Sequence, residues 1–167
     1  MITLSIIIPT QGRPTLLRTL ESLTPQLEDG DEILIMRRDN VPYGNATRDE
    51  AIPRCLGSHL WWIDDDDIAT PNALQIIRDG VSGSPGQTHV FRMQYGGGNV
   101  LWGEKSYSCG NIGGAMMVVP NVPGKLGTWV HEGVSCGDWH FLKHTVQMQG
   151  GPVVWHEEVL QIIRPEE

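Results

Sequence analysis

Apolar and polar positions follow two different rhythms along the chain. Thr3–Ile8 is a short β-branched run stopped by Pro9, the pattern of a strand buried on both faces. After Thr10-Gln11-Gly12-Arg13, Pro14 suits a first helical position, and Leu16, Leu17, Leu20 and Leu23 recur at helical spacing until Pro25. Glu32–Met36 reads as a second strand. The chain thus opens as a β-loop-α-β unit, whose strands pair in parallel.

A second helix is predicted over Tyr43–Leu56, kinked or split by Pro53. Ser58–Ile63 is a third strand, and it runs directly into Asp64-Asp65-Asp66-Asp67. Thr70-Pro71 marks a helix start, and Asn72–Arg78 carries the helical pattern. Thr88–Gln94, the Gly96-Gly97-Gly98 turn and Asn99–Trp102 predict a hairpin. A strand over Ala115–Val119, a helix over Asp138–Met148 and an extended segment over Val153–Ile163 complete the series. No repeat or linker breaks it, so one α/β domain over residues 1–167 is expected.

Composition narrows the function classes. Twelve Lys and Arg against twenty Asp and Glu give a formal charge of -8, which argues against bulk binding to nucleic acid. The longest apolar runs are far too short to span a bilayer, so no membrane segment is expected. Cys55, Cys109 and Cys136 are odd in number and widely spaced, which fits a reducing, cytoplasmic setting and small apolar packing roles.

The acidic run changes the picture because of where it falls. At the carboxyl end of a buried strand it lies on the sheet edge where open α/β sheets bind ligands. Two carboxylates about 5 Å apart repel by roughly 3 kcal/mol at an effective dielectric near 20. Such a cluster needs solvent, protonation or a hard divalent cation, Mn²⁺ or Mg²⁺. The plainer alternative is a solvated acidic turn ahead of a helix.

In this order the motifs resemble those of the family 2 glycosyltransferases, which have the GT-A fold and use nucleotide-activated sugars. Ser5-Ile6-Ile7-Ile8-Pro9-Thr10 with Gly12-Arg13 is similar to the family's first strand and nucleotide-contacting loop. Gly44-Asn45-Ala46-Thr47-Arg48-Asp49 resembles its Gly, Ala-Arg-Asn helix start, with Asp49 in place of Asn. Trp62-Ile63-Asp64-Asp65-Asp66-Asp67 resembles the strand that ends in the Asp-x-Asp motif, the most specific of these signals. Gly137-Asp138-Trp139 resembles the acidic pair that supplies the base, with Gly137 replacing the first acid. The second strand ends in Met36-Arg37-Arg38-Asp39-Asn40, where the family has Asp-Asp-Gly-Ser.

The resemblance implies a mainly parallel central sheet flanked by helices. Residues 1–70 would form the nucleotide-sugar and metal half, and 71–167 the acceptor and catalytic-base half. It implies donor contacts from Pro9, Thr10, Gly12, Arg13, Asp39, Arg48, Asp64 and Asp65, and a Mn²⁺ or Mg²⁺ ion on Asp66 and Asp64. Asp67 is a possible extra ligand, and His156 would add a further metal contact. Asp138 would be the general base of an inverting transfer, with Gly113, Gly114 and Trp139 on the acceptor side. The implied partners are a nucleotide-sugar donor, most naturally a UDP-sugar, and a hydroxyl acceptor of unknown class. Two alternatives stand beside this reading: a non-catalytic nucleotide-sugar-binding relative, prompted by Gly137, and a sugar-nucleotidyltransferase.

Other residues are less informative. His140 and His144 share a helical face but lack the Glu of a zinc-protease helix, so a packing role is expected. One of Trp61 and Trp62 is expected in the core, while Trp102 and Trp139 are candidates for stacking on a sugar ring.

Overall fold

In the computed structural model, residues 1–38, 44–129 and 136–165 are described. The N-terminal apolar run forms β1 (Leu4–Thr10), all of it buried. It extends two residues beyond expectation, through Pro9. In a parallel ladder alternate residues face opposite neighbours. The Thr10 carbonyl faces β2 (Glu32–Arg37), and the Ile7 carbonyl faces β3 (His59–Trp62), accepting from the Ile63 N–H. Pro9 therefore faces the β3 side, where register pairing has ended at Ile7–Trp62, and its missing N–H costs no bond.

β1 pairs in parallel with both β2 and β3. The leucine helix is α1 (Leu16–Leu23). The second helix is shorter than expected: α2 spans Asn45–Ala51, and Pro53 turns the chain into a 3-10 segment over Ile52–Arg54. The sequence pattern missed β4 (Ile68–Ala69), two residues long and antiparallel to β8 (Val154–Ile163). The predicted hairpin is β5 (His89–Tyr95) with β6 (Val100–Leu101). β7 (Met117–Pro120) is antiparallel to β3 and β5, and β8 runs parallel to β5. The sheet order is β2-β1-β3-β7-β5-β8-β4, with β6 attached to β5. The architecture is α/β and GT-A-like. Its sheet is mixed, with parallel pairing confined to β2-β1-β3 and β5-β8, because a hairpin and short returns supply the remaining ladders.

Alternation along the strands divides the core between the two faces. Ile6, Ile8, Trp61, Phe91 and Leu160 pack with α1 and with α3 (Ala73–Ser82). Ile7, Leu60, Trp62, Val90 and Met117 pack on the other face with Ala51 of α2 and with Phe141 and Leu142 of α4 (Gly137–Gln149). Trp61 and Trp62 are therefore both fully buried, one in each layer.

The fold corrects the cysteine expectation. Cys109 and Cys136 come within 5.8 Å Cα to Cα and are disulfide-bonded, a pairing that 27 residues of separation could not reveal. Cys55 remains a thiol, its pKa pushed up to about 11 chiefly by burial. Among the described residues, no helix is long and apolar enough to cross a membrane.

Candidate active site

β1 leads through α1, on one face of the sheet, to β2 on one side of it. β2 leads through α2, on the other face, to β3 on β1's other side. The chain thus diverges at the carboxyl ends of β1 and β3, leaving the crevice where open α/β sheets bind ligands. Into it the fold delivers Thr10–Arg13 from β1, Asp64–Asp67 from β3 and Arg48 from α2.

The Thr10 hydroxyl accepts from the Gly12 N–H at 2.8 Å and donates to Asp65, which is 4% exposed. Gly12 has φ +85°, a left-handed conformation that glycine takes without strain. Arg13 Nη1 lies 2.5 Å from Asp66 Oδ2 and 3.4 Å from Asp65 Oδ1. Arg48, buried, is ion-paired with Asp64, and its guanidinium stands 5.0 Å from the Trp129 ring centre. The four acids are thus sorted by position. Asp64 and Asp66 keep side-chain exposure, 47% and 22%, whereas Asp65 and Asp67 are buried. Asp67 accepts from the Arg164 N–H at 3.2 Å. Burial first, and the Asp64 charge second, push its pKa up to about 8. That places Asp67 in the wall of the crevice, turned away from the position of an extra ligand.

Asp138 opens α4 beside this group. Burial raises its pKa; the Arg48 charge opposes this, Asp64 adds to it, and a hydrogen bond from the Gly114 backbone lowers it again. Gly114 therefore lies beside Asp138, while a Cβ on Gly113 would face Met93 and Met116. A Cβ on Gly114 would stand 2.9 Å from the Trp129 ring and 3.3 Å from Asp138 Oδ1. Gly137 is equally constrained, since a Cβ there would meet Asn45 Nδ2 at 2.6 Å and the Trp129 carbonyl at 2.9 Å. Asp49, at the family's Asn position, accepts from the Trp129 N–H at 2.8 Å. Trp139 is half-buried, with Lys143 Nζ 5.0 Å from its ring centre. Pro9 packs under Gly44, at the start of α2. Asp39 lies outside the described residues.

His156 is not brought to this group. It sits at the start of β8, its Nε2 2.9 Å from His89 Nδ1 and its ring stacked on Phe91. β8 enters the sheet at that end and leaves it at Arg164, eight residues or roughly 25 Å further on. The expected metal contact is therefore corrected: half-buried His156 pairs with buried His89 at the opposite edge. Trp102 is likewise buried, 4% exposed, with the Arg92 guanidinium 4.3 Å from its ring centre, and does not offer a stacking face.

Sequence reasoning missed Arg164. It follows β8, has φ 43°, and brings its Nε 3.6 Å from Asp66 Oδ2. With Arg13, Arg48 and the Arg37-Arg38 end of β2, five of the nine arginines gather at one sheet edge. The Arg37 guanidinium lies 3.4 Å from where a Cβ on Gly12 would stand, and the Arg38 N–H donates to the Thr10 carbonyl at 3.0 Å. Among the described residues no three His, Cys, Asp or Glu side chains converge as a metal cage. The solvent-facing carboxylates of Asp64 and Asp66 fit a hard cation that takes its remaining ligands from phosphate oxygens and water, the usual habit of Mg²⁺. A concavity of about 540 Å³, lined by Asp49, Ile52, Asn121 and Leu126 among others, lies beside α2 and does not include the acidic run.

Sheet order, crevice and helices define a GT-A-like α/β protein. No family model and no curated protein matches the chain. Among solved structures it is similar to S. aureus TarS, with a TM-score of 0.76 at 12% identity over 97% of this chain and 36% of that one. It is also similar to TarS 1-349 in complex with UDP, TM-score 0.73 at 13% identity, covering 96% of this chain and 60% of that one. With TarS 1-349 in complex with UDP-GlcNAc the TM-score is 0.71 at 12% identity, over 96% and 58%. The chain thus spans 36–60% of the length of these structures, and the likeness is one of fold.

Proposed function

We propose that this chain is a glycosyltransferase that takes a sugar from a nucleoside diphosphate, UDP in the first instance, and passes it to an acceptor hydroxyl with inversion. The observation that carries this reading is the β1–β3 crevice, where arginines, two partly exposed carboxylates and a half-buried acid on α4 converge in a fold whose TarS examples hold UDP and UDP-GlcNAc. Arg13 and Arg48 would bind the diphosphate, and Thr10 and Gly12 would shape the loop that approaches it. Asp138 accepts the acceptor's hydroxyl proton as that oxygen attacks the anomeric carbon and the bond to the β-phosphate oxygen breaks. Its burial, which raises the pKa, makes it a better proton acceptor than an exposed aspartate. Asp66 and Asp64 would hold a Mn²⁺ or Mg²⁺ ion, which supplies charge stabilisation for the departing diphosphate. Two functional halves in one domain belong to the same proposal.

The test is UDP release from a panel of UDP-sugars with candidate acceptors, with and without Mn²⁺, beside calorimetric UDP binding. UDP binding with metal-stimulated release supports the reading, and absence of nucleotide binding overturns it. UDP binding without transfer to any acceptor favours the non-catalytic relative. Pyrophosphate release from NTP and sugar phosphate favours the nucleotidyltransferase.

A further inference from the structure

Arg164 occupies a position whose backbone suits glycine. Its φ of 43° is left-handed, and among the described non-glycine residues only Asn72, at the start of α3, shares that sign. The turn is held from several directions. The Arg164 N–H donates to Asp67 Oδ1, Gly96 donates to the Ile163 carbonyl at 3.0 Å, and a Cβ on Gly96 would stand 2.6 Å from the Arg164 carbonyl. A long cationic side chain held in a strained backbone at a ligand-binding edge is a mark of function.

The guanidinium is aimed at a group already served. Asp66 Oδ2 accepts from Arg13 at 2.5 Å, and Arg164 Nε stands 3.6 Å from the same oxygen, in ion-pair range but beyond hydrogen-bond distance. Two cations thus face Asp66, Arg13 also reaching Asp65 at 3.4 Å, and both guanidinium side chains are about half exposed. A half-exposed guanidinium at this place suits an incoming anion, and while it stays at Asp66 it competes with any cation for that carboxylate.

We infer that Arg164 is a donor-binding residue: with Arg13 it holds Asp66 in the ligand-free chain and turns to the diphosphate when a nucleotide donor enters, releasing the Asp66 carboxylate. The inference rests on the donor reading above. It predicts effects of opposite sign on two ligands. Loss of the guanidinium weakens the diphosphate and strengthens a divalent cation binding alone, whereas a merely structural arginine would weaken both.

The decisive variant is Arg164→Gly, because glycine accepts the left-handed turn and leaves the fold in place. UDP and uridine affinities are measured in metal-free buffer by calorimetry and NMR titration, and Mn²⁺ affinity without nucleotide by electron paramagnetic resonance. Arg164→Gly should melt at or above the parent's temperature and bind UDP about tenfold more weakly, the loss of one charge-assisted hydrogen bond. Uridine affinity should stay unchanged and Mn²⁺ should bind more tightly, with Arg164→Lys lying between parent and Arg164→Gly. Undiminished UDP binding by Arg164→Gly, or equal losses for UDP and uridine, or weaker Mn²⁺ binding, overturns this inference alone. Absence of UDP binding by the parent chain overturns the donor reading and this inference with it.

Discussion

Gly114 lies against the carboxylate of Asp138, where a Cβ on the glycine would stand 3.3 Å from Oδ1, so the glycine turn before β7 abuts the first turn of α4. Asp138→Asn keeps the shape of the side chain and removes only the ionisable function. Transfer should fall about 10²–10⁴-fold, the usual worth of a general base, while the melting temperature holds or rises as a half-buried charge disappears. Since the base must be ionised, the parent's kcat/KM should rise with pH through an apparent pKa above the ordinary carboxylate range. A transfer rate in Asp138→Asn equal to the parent's removes Asp138 from the mechanism.

Adjacent acids should behave oppositely. Asp66 faces the crevice, and Asp66→Asn should abolish the stimulation of UDP release by Mn²⁺. Asp67 is buried, with its pKa pushed up to about 8. A carboxyl whose folded pKa lies above its unfolded value costs stability as pH rises between the two, here from about 4 to about 8. In metal-free buffer Asp67→Asn should therefore gain melting temperature over the parent progressively from pH 5 to pH 8. A constant difference across that range would sink the assignment.

The buried histidines predict acid sensitivity at the far edge of the sheet. His89 Nε2 faces the Ser84 carbonyl at 3.0 Å, so it donates there, and its Nδ1 accepts from His156. Burial, chiefly, with His156 and His59 adding to it and the Ser84 carbonyl opposing it, lowers the His89 pKa to about 4. The unfolded chain then binds the extra proton first, so stability is full above about pH 6.5 and declines as pH falls toward 4, by an amount on the order of 3 kcal/mol. Urea midpoints across that range measure it. His156→Ala should leave Mn²⁺ affinity at the parent value.

Restoring an acid before Asp138 should harm the protein. Gly137→Glu would place a Cβ against Asn45 and the Trp129 carbonyl, and overpacking of this kind costs about 1–3 kcal/mol. Denaturant unfolding should show that loss, and transfer should not improve.

Much of this was legible in the sequence because it is local. The run Leu4–Ile8, the leucines of α1 and the four aspartates each announce themselves within a few residues, and the aspartates name a ligand-binding edge as soon as a strand precedes them. What escaped is long-range. Arg164 reaches Asp66 across 98 positions, and Cys109 reaches Cys136 across 27. β4 consists of two residues that pair solely with a strand made some ninety residues later. His156 was misassigned for the same reason: its position along β8, and hence which sheet edge it occupies, depends on the parallel register with β5.

β8 enters the sheet between β5 and β4 and carries Arg164 at its far end. Its pairings span about seventy to ninety residues, the kind of contact that forms late because the intervening chain must first be ordered. On a ribosome the acidic run would be made and exposed long before its second arginine exists. Assembly of the Asp66–Arg164 contact thus coincides with closure of the sheet, so a chain that has not finished folding lacks a complete crevice.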